Sequence, residues 1–249
     1  MIDAIISDWN GVLYKDRDDS ALFNAVTTAA LKQSAPFHPV ELFGLWQAKK
    51  QLEELKARVH RPDGSRDASV TREMYRIFNE RVVKGLPVNF VDKAISRYAS
   101  RRDVQERLDA GMLEVLVKRN LSTMLGVLSS AYEGWIDAVL GAGKRLSYVD
   151  FVVANKLEEK DGKAVAFLLD IFDNKPEHLR RAAATYRFSL DRTAYIGDDE
   201  DDEGCFELVR WPVVSLYSRD EFKKRCAEKY RAFVPESHDD FGKWLKGVR

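Results

Sequence analysis

Three short apolar runs, far apart in the chain, each stop at a polar turn. Ile2 to Ile6 leads into Ser7-Asp8-Trp9-Asn10-Gly11, Met124 to Leu128 into Ser129-Ser130, and Thr193 to Ile196 into Gly197-Asp198-Asp199-Glu200-Asp201-Asp202. Brief apolar runs bounded by Gly, Asn and Asp predict buried strands of an α/β sheet. In open α/β sheets ligands bind outside the carboxyl ends of the strands. One Asp or Ser after a strand is commonly a turn former or a helix cap. Three such ends place the Asp8 carboxylate, the hydroxyls of Ser129 and Ser130 and an acidic cluster along one edge, which marks that edge as a candidate active site.

The intervals between these runs read as helices. Ser20 can cap a helix from Ala21 to Lys32, interrupted at Pro36-Phe37-His38-Pro39, and apolar residues at helical spacing continue over about 40–59. Ser69 opens another helix that ends at Gly85-Leu86-Pro87, and two more are expected over about 90–100 and 104–119. Residues 17–100 therefore form one helical insertion, and 1–16 with 101–249 form the α/β core. Beyond Ser130, a helix from Glu133 to Leu140 stops at Gly141-Ala142-Gly143-Lys144. That stretch is not a P-loop, because Ala138 and Arg145 stand where Gly and Ser or Thr are needed. Phe151–Ala154 and Ala164–Phe167 flank Asp161-Gly162 and predict a hairpin. Pro176 opens a helix to about Tyr186, and Val213–Leu216 supplies a further core strand.

Charge and composition exclude several partners. The 40 basic and 40 acidic side chains cancel, so no net field draws the chain to nucleic acid or an anionic membrane, and a small-molecule partner is expected. Cys205 and Cys226 are the only cysteines and predict reduced thiols in a cytoplasmic protein. The chain enters its first strand with no basic and long apolar leader, so neither a signal peptide nor a membrane span is expected. His38, His60, His178 and His238 are scattered without zinc-ligand spacing.

In this order and spacing the polar turns resemble the motifs of the haloacid dehalogenase-like hydrolase superfamily. Asp8-Trp9-Asn10-Gly11-Val12-Leu13 is similar to its first motif, Ser129 to its second, Asn174-Lys175-Pro176-Glu177 to its third and Gly197 to Asp202 to its fourth. The resemblance covers residues 1–14 and roughly 120–216. Ala154 to Glu158 with Asp161-Gly162 resembles the hairpin of the phosphoserine phosphatase-like branch. The resemblance implies a doubly wound, Rossmann-like parallel sheet core with an inserted α-helical cap subdomain over 17–100, acting on a small phosphate ester.

It also implies roles. Asp8 would attack phosphorus and become an aspartyl-phosphate. Asp198 and Asp202, with Asp8 and the Asn10 carbonyl, would hold Mg²⁺, a hard cation that suits carboxylate oxygens. Ser129, with the amides of Ser130 and Ala131 at a helix start, would bind phosphoryl oxygens. Lys175 would stand at a helix N-terminus, where the dipole disfavours a cation, and a phosphate beside Asp8 would explain it. The sequence departs from the family at Asn10, where an Asp exchanges protons with the leaving group and the water. An Asn cannot. Two other readings stand beside the phosphatase: a metal-free dehalogenase-type hydrolase, and a catalytically weak phosphate-binding or regulatory protein.

Overall fold

A computed structural model describes residues 2–34, 39–63 and 65–248. Its elements run β1 (Ala4–Ser7), α1 (Ser20–Ser34), α2 (Pro39–Lys56), α3 (Ala68–Phe78), α4 (Val88–Ala99), α5 (Arg102–Gln105), α6 (Ala110–Val117), β2 (Met124–Tyr132), α7 (Glu133–Ala142), β3 (Phe151–Asn155), β4 (Leu157–Lys160), β5 (Lys163–Phe167), α8 (Asp170–Tyr186), β6 (Thr193–Gly197), α9 (Glu203–Phe206), β7 (Trp211–Val214), α10 (Asp220–Tyr230) and α11 (His238–Gly247). The expected interruption at Pro36 to Pro39 falls largely outside the described residues, as does His38.

Five strands form one parallel sheet in the order β3-β2-β1-β6-β7. The chain steps outward from β1 to β2 and β3, then returns to the other side of β1 with β6. The winding therefore reverses between β1 and β6, the position where open α/β sheets bind ligands. Side chains alternate along each strand and segregate two packed faces. Ile5, Leu125, Val127, Ala194, Ile196 and Val213 face α6, α7, α11 and the inserted helices. Ala4, Ile6, Leu128, Tyr195 and Val214 face α8, α9 and α10.

The helices between β1 and β2 begin and end for local reasons. Asp67, rather than Ser69, caps α3, its side chain accepting from Ser69 N at 2.9 Å and Val70 N at 3.3 Å. A π-helical turn, Asn79–Val83, extends α3 until Gly85 turns the chain at φ 87°. Asp109 caps α6 through Met112 N.

The expected hairpin is corrected. Phe151–Ala154 belongs to the parallel sheet, Gly126 lying opposite Phe151, and the antiparallel partner of β5 is β4. The turn decides this. Asp161 and Gly162 sit at φ 52° and 72°, a two-residue turn that joins directly adjacent strands and pairs Lys160 with Lys163. The hairpin leaves the sheet and docks on the inserted segment: Gly85 N donates to Ala164 O at 2.8 Å, Val88 N to Gly162 O at 3.0 Å and Ala164 N to Leu86 O at 2.8 Å.

The second polar turn is also corrected. β2 does not stop at Leu128 but runs through Ser129 and Ser130 to Tyr132, with a register irregularity against β3 between Ser129 and Tyr132, and α7 starts only at Glu133. Ser129 and Ser130 therefore lie in a strand rather than at a helix start. Ser129 Oγ instead accepts from Ala131 N at 3.2 Å.

Candidate active site

Asp8 continues β1 by one residue, its amide donating to Ile196 O of β6 at 2.9 Å, and so stands at the reversal of winding. Its Oδ1 accepts from Trp9 N at 2.6 Å and its Oδ2 from Lys175 Nζ at 2.7 Å. Lys175 comes from α8, whose helical path starts earlier than Pro176 suggested, at Asp170, but breaks at Asn174 (φ −142°, ψ 38°). The break delivers Nζ to Asp8 and, at 2.6 Å, to Asp202 Oδ1. Burial works against the Lys175 ammonium, but Asp202 and Asp8 hold its pKa well above the usual lysine value.

Asp202 is wholly buried and fully engaged. Besides Lys175, its Oδ1 accepts from Tyr195 Oη at 2.6 Å and its Oδ2 from Asp198 N at 2.8 Å. Burial raises its pKa against the pull of Lys175. Asp198 receives Arg17 Nε on Oδ2 at 3.0 Å. Its pKa is pushed well above the carboxylate range by burial first, then by the charges of Asp199, Asp202 and Asp8. Asp8, Asp198 and Asp202 each offer one oxygen within 4.8 Å of the others. Like charges crowded this closely are relieved by a divalent cation. Buried carboxylate oxygens are the donors Mg²⁺ takes, so the residues present fit that ion.

Two glycines make the convergence possible. Gly11 sits at φ 68°, and a Cβ there would lie 2.1 Å from Asp198 Oδ2, while one on Gly197 would lie 2.4 Å from Asp202 Cγ. Ser215 Oγ pins the first loop by donating to Gly11 O at 2.6 Å. Gly11→Ala should therefore cost about 1–3 kcal/mol through its left-handed backbone, and more through displacement of Asp198. Urea unfolding checks this, and a midpoint equal to the parent's would contradict it.

The structure thus brings Asp8, Lys175, Asp198 and Asp202 into one contact network. Asn10 lies in the same loop two residues after Asp8, but its side chain turns elsewhere: Nδ2 donates to Asp19 Oδ1 at 3.0 Å and Oδ1 is buried without a partner among the described residues. Ser129 and Ser130 share the sheet edge but make no hydrogen bond to the other four. Ser130 O accepts from Asn155 Nδ2 at 2.5 Å, and Asn155 Oδ1 accepts from Ile171 N at 2.9 Å, which ties β2 to the start of α8.

Several participants carried no signal in the sequence. Arg17, Asp19 and Tyr75 reach the site from the insertion, Tyr75 Oη donating to Asp19 Oδ2 at 2.7 Å. Burial raises the Asp19 pKa, opposed by Arg66 and by the hydrogen bonds from Tyr75 and Asn10. Tyr195 was visible only as an aromatic residue in a core strand. Arg66, whose side chain is 9% exposed, lies 3.8 Å from Asp201.

The architecture is a five-stranded parallel sheet with a helical insertion after its first strand, and Asp8 stands at that strand's carboxyl end. No protein-family profile and no curated protein matches the chain. Among solved structures it is similar to a substrate-bound phosphoserine phosphatase complex, at 18% identity over 100% of this chain and 99% of that one, with a TM-score of 0.61. It is also similar to a cytosolic 5′-nucleotidase IIIB bound to cytidine, at 17% identity over 98% and 86% of the two chains, with a TM-score of 0.60. A protein of unknown function from Bordetella pertussis Tohama I is 15% identical over 94% and 98%, with a TM-score of 0.63. At such identities the shared property is the fold.

Proposed function

We propose that this chain is a Mg²⁺-dependent phosphatase that hydrolyses a small phosphorylated metabolite through an aspartyl-phosphate on Asp8. The observation that carries this reading is the buried contact network at the winding reversal, in which Lys175 Nζ lies 2.7 Å from Asp8 and 2.6 Å from Asp202. A lone buried cation would be costly, and one pinned between an attacking carboxylate and its support is placed to hold a phosphoryl oxygen. Asp8 supplies the nucleophile, and Lys175 orients it and steadies the anionic phosphoryl group. Asp202, through Tyr195 and Asp198 N, fixes Lys175. Ser129 and Ser130 line the same edge as hydroxyl ligands for the phosphoryl group. Asp8, Asp198, Asp202 and the Asn10 carbonyl are the residues that would hold Mg²⁺, which when bound neutralises phosphoryl charge.

Residues 17–100 act as the cap in this reading, joined by the β4–β5 hairpin that docks on them. Arg17 and Asp19 reach the site from that segment, and residues Asp8, Lys175, Asp198 and Asp202 are between 0% and 7% exposed, so the cap excludes water and must lift to admit substrate. The buried free thiols of Cys205 and Cys226 support a cytoplasmic setting, and no described helix is long and apolar enough to cross a membrane.

The test is turnover of a panel of phosphomonoesters, led by p-nitrophenyl phosphate, with EDTA and with Mg²⁺ restored. Chelation should lower kcat by at least about 10²-fold and Mg²⁺ should recover it, because a metal supplies several kcal/mol of charge stabilisation. Activity on a 2-haloacid that persists in EDTA would replace the reading with a dehalogenase.

A further inference from the structure

Every acidic residue from Asp198 to Asp202 is met by a cation, and for three of them that cation comes from the 17–100 segment. Arg17 Nε donates to Asp198 Oδ2 at 3.0 Å, and its Nη2 lies 3.8 Å from Asp199 Oδ2. Arg66 Nη1 lies 3.8 Å from Asp201 Oδ2. Glu200 pairs with Arg219, whose Nη1 reaches across the same seam to donate to Asp63 O at 2.8 Å. Asp202 has Lys175. The start of α8, the helix that carries Lys175, is gripped as well: Arg66 and Arg72 each stand 5.3 Å from the Phe172 ring centroid, and Arg72 pairs with Asp173.

These contacts are unequal. Arg72 and Asp173 are half-exposed, and an exposed pair contributes little. The Arg17 side chain is 20% exposed and its partner Asp198 only 6%, so solvent screens that pair least. Asp198 is also one of the three carboxylates that fit a divalent cation. A guanidinium and a divalent cation on one carboxylate are like charges brought close together, and each weakens the hold of the other.

Resting on the Mg²⁺ site of the reading above, we propose that Arg17 latches the cap to the acidic loop and yields Asp198 when a divalent cation binds there. Cap closure and cation binding are then antagonistic, and reciprocally so, because each shifts the other's equilibrium by the same factor. Arg17 is a positioning residue of the cap, acting through Asp198. The latch also orders events. The loaded loop releases Arg17 and the cap lifts. The anionic phosphoryl group of an arriving substrate restores the negative charge that draws Arg17 and the cap back.

The experiment measures Mn²⁺ binding by titration calorimetry to the parent, Arg17→Met, Arg17→Gln and Arg102→Met. Arg17→Met should bind Mn²⁺ at least about fivefold more tightly than the parent, the lower end of the coupling between linked sites. Arg17→Gln keeps a donor for Asp198 without the charge, should move the same way, and covers the case in which Arg17→Met fails to fold. Arg102, 91% exposed and paired with Glu106, removes the same charge away from the loop, so its variant should match the parent within about twofold. Hydrogen exchange read by mass spectrometry is the second measurement. Mg²⁺ should speed exchange of the cap amides flanking Arg17 and Arg66 in the parent, whereas in Arg17→Met those amides should exchange fast already and ignore Mg²⁺. Equal Mn²⁺ affinity in the parent and both Arg17 variants overturns the antagonism and leaves the Mg²⁺ site standing. Slower cap exchange on adding Mg²⁺ to the parent also overturns it, because the cation would then tighten the latch. Absence of Mn²⁺ binding in every form overturns the Mg²⁺ site and the latch together.

Discussion

Asp8→Asn should leave a folded protein that has lost at least about 10⁴-fold in kcat, since loss of an attacking group typically removes most of an enzyme's rate enhancement. An amide nitrogen or oxygen in this position does not form the acyl phosphate on which the second step depends. Stability should not fall with activity. Asp8 is one of three carboxylates whose oxygens lie within 4.8 Å, and its charge helps push the Asp198 pKa up, so neutralising it relieves repulsion. Lys175 keeps its ion pair with Asp202 at 2.6 Å. Rapid-quench mass spectrometry should detect a phosphorylated parent and no such adduct on the variant. A phosphorylated Asp8→Asn protein, or hydrolysis above about 1% of the parent's, would move the nucleophile elsewhere.

What the sequence disclosed and what it withheld follow from how each element is specified. β1 and β6 could be read directly, because strands buried on both faces are short apolar runs ended by residues that cannot continue them. Lys175 was legible as an oddity, a cation at a helix start, and the Asn174 break with its two carboxylate partners supplies the reason. β4 was not legible: Leu157-Glu158-Glu159-Lys160 is largely exposed and carries no apolar signal, so its neighbour Phe151–Ala154 looked like the hairpin arm. The continuation of β2 through Ser129 and Ser130 was hidden in the same way, since buried hydroxyls satisfied locally, as Ser129 Oγ is by Ala131 N, look like a turn. The insertion withheld most. Asp19 and Tyr75 lie 56 positions apart, yet meet at 2.7 Å through the packing of α3 near the start of α1, and no local pattern encodes that meeting. Gly11 and Gly197 were read as turn formers, whereas their missing side chains also leave room for Asp198 and Asp202.

Asn10→Asp should raise turnover of alkyl phosphates far more than that of aryl phosphates. Under the phosphatase reading proposed above, the side chain at this position, which holds its NH₂ on Asp19, has no exchangeable proton to give and the departing oxygen leaves as the bare anion. A good leaving group tolerates this and a poor one does not. Supplying a general acid is worth something like 10²–10⁴-fold, and the benefit grows with the basicity of the leaving oxygen. The new carboxylate, however, would face Asp19 across the 3.0 Å now spanned by the amide hydrogen bond, and two buried carboxylates at that distance cannot both stay charged. One of them holds a proton, and when the introduced carboxyl is the holder it is ready to protonate the leaving group. The measurement is kcat/KM across esters of graded leaving-group pKa for both forms. The parent should show a steep negative dependence and the variant a shallow one, the lines meeting near the best aryl leaving groups. Parallel lines would mean that the proton reaches the leaving oxygen by a route that does not pass through residue 10.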